Sequence, residues 1–265
     1  MTDEERQHEE DLQRIRGFRL IDDDFMNACL MDNLPATELI LRIVLEDTGI
    51  TVTDVKTQYL IKSLIGRDVW LDVKAKDVRG RRLNIEIQRD DRGAGRKRAR
   101  YHSSVLDSHL LKPGQDFDDL PETYVIFITE NDVLGGNMPI YHIERKIVEM
   151  DNDVFGDEEH IIYVNGANED GETELGRLMH DFKCTEPDEM FFKELAEKPR
   201  YFKKTVEGVS CMCKALEDMR NQTAWNTKVE SVKRGLANNF SYEQIALIVG
   251  LTVDQVKEIA GEKSA

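Results

Sequence analysis

The 265-residue sequence is poor in the features that mark several protein classes. It has four cysteines, Cys29, Cys184, Cys211 and Cys213, with no C-x-x-C pair and no histidine at zinc-finger spacing. A disulfide framework and a zinc finger are therefore unsupported, and the cysteines read as reduced thiols of a cytoplasmic protein. No apolar run reaches the roughly 18 residues that span a bilayer, so no membrane partner is expected. The N-terminal "MTDEERQHEE" is acidic and polar, unlike a secretory or mitochondrial presequence. Neither G-x-x-x-x-G-K-[ST] nor G-x-G-x-x-G occurs, which leaves nucleotide hydrolysis and dinucleotide redox chemistry without support. There are no repeats and no low-complexity tracts. Net positive charge is also missing: the formal charge is −16.

That charge is unevenly spread. Residues 1–50 carry a net −8 and residues 151–200 a net −10, whereas 51–150 and 201–265 are each +1. Within the neutral block, residues 67–112 hold 13 bases against 7 acids. A local basic field in an acidic chain suits a phosphate ligand, and the acidic flanks limit indiscriminate binding of polyanions.

Periodicity predicts a helix over "LPATELILRIVLEDTG" (34–49), stopped at Gly49, then strands at 50–61, 67–77 and 81–90. A basic helix follows from about Ala94 to Leu111, ending at "KPG". "TYVIFIT" (123–129) reads as a buried central strand, with further strands at 139–145 and 160–166. The order α-β-β-β-α-β predicts an α/β sheet sandwiched by helices. Beyond about residue 190 the chain reads as wholly helical. There "FSYEQIALIVGLTVDQVKEIAG" (240–261) has cap-like starts at Ser241 and Thr252 around Gly250, the outline of a helix-turn-helix; with only Lys257 as a cation on its second helix it reads as a plain helical hairpin ahead of a DNA-reading regulator. The predicted division is 1–190 for the α/β domain and 191–265 for a helical appendage.

Strand alternation puts Trp70, Asp72, Lys74 and Lys76 on one face, and Asn84, Glu86 and Gln88 on one face of the next strand. A three-residue loop, Val78-Arg79-Gly80, pairs Asp77 with Arg81 and sets Asp72 opposite Glu86. Opposed carboxylates destabilise a strand pair unless something neutralises them. A hard divalent cation does so, and so do Lys74 and Lys76 if they lean across.

"WLDVKAKDVRGRRLNIEIQ" followed by "RARYHSSVLDSHLLKPGQDFDDLPETYVIFI" closely resembles the PD-(D/E)XK nuclease family transposases, or recombination-promoting nucleases, over roughly residues 18–145. The resemblance implies a restriction-endonuclease-like core and Mg²⁺-dependent cleavage of DNA, with Mn²⁺ as a substitute. Asp72 matches the motif aspartate, Glu86 the second acid and Gln88 the place of the lysine; Ile87 joins Asp72 and Glu86 as a metal-binding position. Glu38 would match an acid carried on the first helix, although Glu38, Arg42 and Glu46 also have the spacing of a surface ion-pair ladder. Arg96, Lys97, Arg98, Arg100 and Tyr101 are the expected DNA contacts, with Arg98 and Tyr101 facing the site. His102 and His109 read as partly buried side chains. The expected partner is DNA, in the setting of recombination, mobile elements or defence, and a homodimer is left open. The alternative is a catalytically idle relative that binds nucleic acid or self-associates.

Overall fold

A computed structural model describes residues 2–62, 67–89 and 91–261. Asp90, the last residue of the predicted third strand, lies outside them, as do residues 262–265 of the predicted appendage. Contacts group the chain into two compact units, Arg16–Lys203 and Met1–Ile15 with Lys204–Ala265.

The first unit is α/β. Helices α2 (Asp23–Leu30) and α3 (Leu34–Val44) precede strands β1 (Val52–Ile61), β2 (Val69–Asp77) and β3 (Arg82–Gln88). Helix α4 (Arg96–Ser108), strand β4 (Thr123–Thr129) and strand β5 (Ile140–Ile143) follow. Two-residue strands β6 (Lys146–Ile147) and β7 (Asp153–Val154) pair with each other before β8 (Glu159–Asn165), α5 (Glu174–Lys183) and α6 (Lys193–Lys204). The main sheet has six strands in the order β1-β2-β3-β4-β8-β5. It is antiparallel from β1 to β3, parallel through β3, β4 and β8, and antiparallel again at β5. The predicted α-β-β-β-α-β order is present, and the architecture fits a PD-(D/E)XK nuclease fold.

Its centre explains the sequence pattern. "TYVIFIT" is flanked by parallel strands on both sides and is buried along almost its whole length. β3 is buried at all five interior positions, so the in/out alternation expected of it fails: helix-covered parallel strands are buried on both faces. Helix α4 lies on the sheet through Ala99 and Leu106, which pack with Leu71, Val125, Phe127 and Tyr163.

Several features differ from expectation. α3 ends at Val44 rather than at Gly49, and Glu46 takes a left-handed φ of 50°, so Glu46 is not on the helix with Glu38 and Arg42. Helices resume at Glu174, before residue 190. Helices Asp3–Gly17 (α1) and α2 were not legible in a charged N-terminal stretch with little apolar periodicity.

In the second unit, α1 lies with α7 (Val206–Ala237), joined by a two-pronged pair between Arg220 and Asp11 at 2.5 and 2.9 Å. An N-terminal helix that belongs with C-terminal ones is invisible to any division by sequence position. The end of α7 packs on α8 (Tyr242–Val249) and α9 (Val253–Ala260) around Val232, Ile245 and Val256. Ser241 and Thr252 each form a capping box, with Gln244 and Gln255, and Gly250 closes α8 at φ 67°. Among the described residues no helix is long and apolar enough to cross a membrane.

Candidate active site

The β2–β3 hairpin brings the two predicted acids together. Gly80, at φ 89°, closes the three-residue loop, and Asp77 N–H donates to Arg81 O at 3.4 Å. The ladder then runs Lys76↔Arg82, Ala75↔Leu83, Lys74↔Asn84 and Val73↔Ile85. One step further the backbones separate and side chains take over. Ile87 N–H donates to Asp72 Oδ2 at 2.9 Å, and Asp72 N–H reaches Glu86 Oε1 at 3.4 Å. Asp72 thus satisfies a strand N–H that has lost its backbone partner, which fixes the carboxylate against Glu86. In a strand pair, the N–H and C=O of one residue address the same neighbour, so Ile87 presents its carbonyl towards the same opening.

Glu86 is fully buried, and Asp72 is 8% exposed. Asn84 Nδ2 donates to Glu86 Oε1 at 2.9 Å. His102 Nδ1 stands 3.2 Å from the same oxygen, but off the angle of a hydrogen bond. Glu86 Oε2 is buried with no hydrogen-bond partner among the described residues, and Arg98 Nη2 is 3.6 Å from it. A buried anionic oxygen in that state is costly unless a cation or proton meets it. Burial, and then the Glu86 charge, push the Asp72 carboxyl up to about 8, against the pull of the Ile87 N–H and Arg98. Two buried carboxylates sharing one opening cannot both stay charged cheaply, so a proton or a cation between them is favoured.

A third acid comes from α2. Asp23 accepts a hydrogen bond from Gln58 Nε2 at 3.1 Å, and its carboxyl is raised by burial first, by Asp24 and also by Glu86. Its charge in turn raises Asp72. Gln58 lies on β1 across from Asp72, between the pairs Thr57↔Val73 and Tyr59↔Leu71. It takes a left-handed φ of 49°, a conformation a non-glycine residue rarely adopts inside a strand and one that concentrates at functional sites. Neither Asp23 nor Gln58 was anticipated from sequence. Their only signal is an acid-rich turn before an apolar helix.

Glu38 does not join this group. Its Oε1 pairs with Arg42 Nη2 at 2.6 Å and its Oε2 accepts the Val52 N–H at 2.8 Å, tying α3 to the start of β1. Val52 precedes Gln58 by six residues, about 20 Å of extended chain. The acid that α2 contributes is Asp23, which meets β1 at Gln58.

Gln88 ends β3, with Nε2 3.4 Å from Asp72 Oδ2. Its carboxamide occupies space left by Gly93, in the 3₁₀ turn Asp91–Ala94: a Cβ on Gly93 would fall 1.8 Å from Gln88 Oε1.

Beside the acids lies an open cleft of about 910 Å³. Among the described residues Arg67, Arg92, Lys97, Arg98 and Arg100 line it against one acid, Asp68, together with Trp70, Tyr101 and His102. Of the expected DNA contacts, the structure gathers Lys97, Arg98, Arg100 and Tyr101 here. Arg96 is not in the lining and acts instead on the Tyr163 phenol. Arg98 and His102, at i and i+4 on α4, face Glu86 together, whereas the Tyr101 hydroxyl donates to Arg67 O at 3.0 Å. His102 is buried against Glu86, and His109 is exposed rather than partly buried. Arg89 is held by Asp22 at 3.0 Å and Glu130 at 3.5 Å.

Among the described residues no three His, Cys, Asp or Glu side chains gather closely enough to hold a metal by themselves. Asp72, Glu86 and the Ile87 carbonyl still fit a hard cation, because Mg²⁺ keeps several waters and takes one or two carboxylates. The observation that favours it is Glu86 Oε2, buried without a hydrogen bond among the described residues.

No curated protein and no solved structure matches the chain. A family model described as PD-(D/E)XK nuclease family transposase matches residues 37–213, a span that takes in Asp72, Glu86, Gln88 and all of α4 but begins after Asp23. This match covers most of the sequence and agrees with the hairpin, the opposed acids and the basic helix: the chain belongs to the PD-(D/E)XK nuclease family transposases.

Proposed function

We propose that the protein is a divalent-metal-dependent DNA endonuclease. Membership of the family carries a nuclease-like, mobile-element-related role. The observation that supports metal-dependent hydrolysis is the pair of buried, opposed carboxylates, one of whose oxygens, Glu86 Oε2, has no hydrogen bond among the described residues and only a long ion pair with Arg98. Mg²⁺, or Mn²⁺ in its place, would be held by Asp72, Glu86 and the Ile87 carbonyl. When bound, such an ion offsets phosphate charge and lowers the pKa of water.

The chain's own residues do the rest. Asp72 and Glu86 are locked in place by the Ile87 N–H and Asn84, so no reorganisation is needed when the ion arrives. Asp23, held by Gln58, adds negative charge at the mouth. Arg98 stands between Glu86 and the cleft, placed to contact the phosphate under attack, while Lys97 and Arg100 hold flanking phosphates. Gln88, a neutral amide with two donors and an acceptor, orients the attacking water without titrating. Nicking of supercoiled plasmid tests the reading: cleavage should require Mg²⁺ or Mn²⁺ and stop with EDTA. A chain that leaves plasmid intact under all metal conditions would overturn it.

A further inference from the structure

The cleft beside the acids is not only basic. Trp70 is 53% exposed and Tyr101 39% exposed, and both line it among the five cations. Trp70 sits two residues from Asp72 on β2, whereas the buried wall of that strand is made by Val69, Leu71, Val73 and Ala75. Tyr101 is fixed by its hydroxyl bond to Arg67 O, which leaves the ring exposed at the rim. Large exposed aromatics interleaved with cations are the composition of a surface that takes single strands: cations track the backbone and rings stack on the bases.

Duplex DNA does not suit this lining. In a duplex both faces of each base are covered by neighbours, so an aromatic ring can stack only at an end or on an extruded base. The cleft, about 910 Å³, has room for a nucleotide or two between its rings and cations. Charge points the same way. The chain is −16 overall, and duplex DNA presents its phosphates at twice the linear density of one strand, so the acidic flanks repel it more.

We infer that Trp70 and Tyr101 form a stacking platform for unpaired bases, and that the cleft takes single-stranded DNA in preference to duplex. The choice of DNA as ligand rests on the nuclease reading above; the stacking rests on the cleft itself. Stacking on Trp70 would place an unpaired nucleotide next to Asp72, so cleavage would fall in or beside unpaired segments.

The chain has two tryptophans, Trp70 and Trp225. A Trp225→Phe protein makes Trp70 the sole tryptophan, and its emission can be followed in EDTA while a thymidine oligonucleotide, or a duplex carrying the same strand, is added. Quenching by the single strand is expected, with duplex affinity at least tenfold weaker. By anisotropy of a labelled strand, Trp70→Ala should lower single-strand affinity about tenfold and leave duplex affinity unchanged. Trp70→Phe should restore most of it, which separates stacking from misfolding. Equal affinity for both forms, absent quenching, or equal losses on both DNAs in Trp70→Ala would overturn the inference. Quenching without metal-dependent cleavage of either DNA would overturn the nuclease reading and leave the platform standing; cleavage of plasmid without quenching would do the reverse.

Discussion

One hairpin holds buried carboxylates at both of its ends and treats them in opposite ways. At the tip, Asp77 is buried but fully met. Arg81 Nε lies 2.7 Å from its Oδ2, the Arg81 N–H donates to its Oδ1 at 2.9 Å, and Arg81 reaches on to Asp47 at 3.1 Å. Five residues up β2, Asp72 faces Glu86, whose basic neighbours, His102 Nδ1 at 3.2 Å and Arg98 Nη2 at 3.6 Å, make no hydrogen bond to it. Burial is similar, so burial is not what distinguishes a structural acid from a functional one. On the proposed reading, the difference is whether the protein supplies the counter-charge in full or leaves part of it to a ligand.

The comparison breaks most sharply at the tip. Arg81→Ala leaves Asp77 charged, buried and unpaired, and removing one partner of a buried pair typically costs about 3–5 kcal/mol. Thermal unfolding should register that loss with or without metal. Asp77→Asn in the same background should recover part of it, since the buried charge is then gone.

At the other end the expected effect falls on activity. Asp72→Asn and Glu86→Gln should each reduce metal-dependent nicking by at least about a hundredfold, a few kcal/mol of lost transition-state stabilisation. Calorimetric titration with Mn²⁺ should show the matching loss of affinity. Unaltered Mn²⁺ affinity in both variants would mean that the opposed acids are neutralised from within, as Asp77 is. Asp23→Asn should have a smaller effect, and Glu38→Gln none on cleavage.

Why the tip and the site were both legible, and their surroundings less so, follows from range. A loop of fixed length ending in Gly80 determines the register locally, and register alone opposes Asp72 to Glu86. The apolar run at 123–129 announces a central strand in the same local way. Which helix acid reaches the sheet is a different kind of question. Glu38 sits on the more strongly patterned helix, yet its carboxylate is used at the start of β1, and Asp23 arrives from a short helix whose packing is set by contacts far away in sequence. The left-handed Gln58 has no local signature either, because its strain is maintained by the Asp23 bond and the flanking ladder. Arg96 and Arg98 are equally basic, and only the position of α4 on the sheet decides that Arg98 faces Glu86.

A subtler expectation concerns pH in the metal-free protein. The folded state holds the Asp72 proton up to about 8, whereas an unfolded aspartate loses its own near 4. Between those values the folded state binds more protons than the unfolded one, so this group's contribution to stability is present below the lower value and lost as pH rises through the upper. In EDTA, the melting temperature should fall from pH 5 to pH 8 by more in the parent than in Asp72→Asn. Mn²⁺ should flatten the parent profile by standing in for the proton. A parent and a variant with parallel profiles would show that Asp72 is charged and compensated like the acid at the tip.

A smaller loss of turnover than at either acid is expected at Gln88, and it sharpens the comparison because Gln88 touches the site without carrying charge. Its backbone is anchored independently of its side chain: the Glu130 N–H donates to Gln88 O at 3.1 Å. Truncation to alanine should therefore leave β3 and both acids in place. The amide lies only at the long limit of a hydrogen bond to Asp72, so metal affinity should change by less than about twofold. Turnover should fall about tenfold, the scale of one oriented neutral hydrogen bond. Gly93→Ala offers an independent route to the same result, since its new Cβ would displace the Gln88 carboxamide without removing it. Matching losses in the two variants would assign the effect to the amide's position. If Gln88→Ala cleaves plasmid at the parent rate, the amide only fills the space beside Gly93, and orientation of the water passes to the acids and the phosphate.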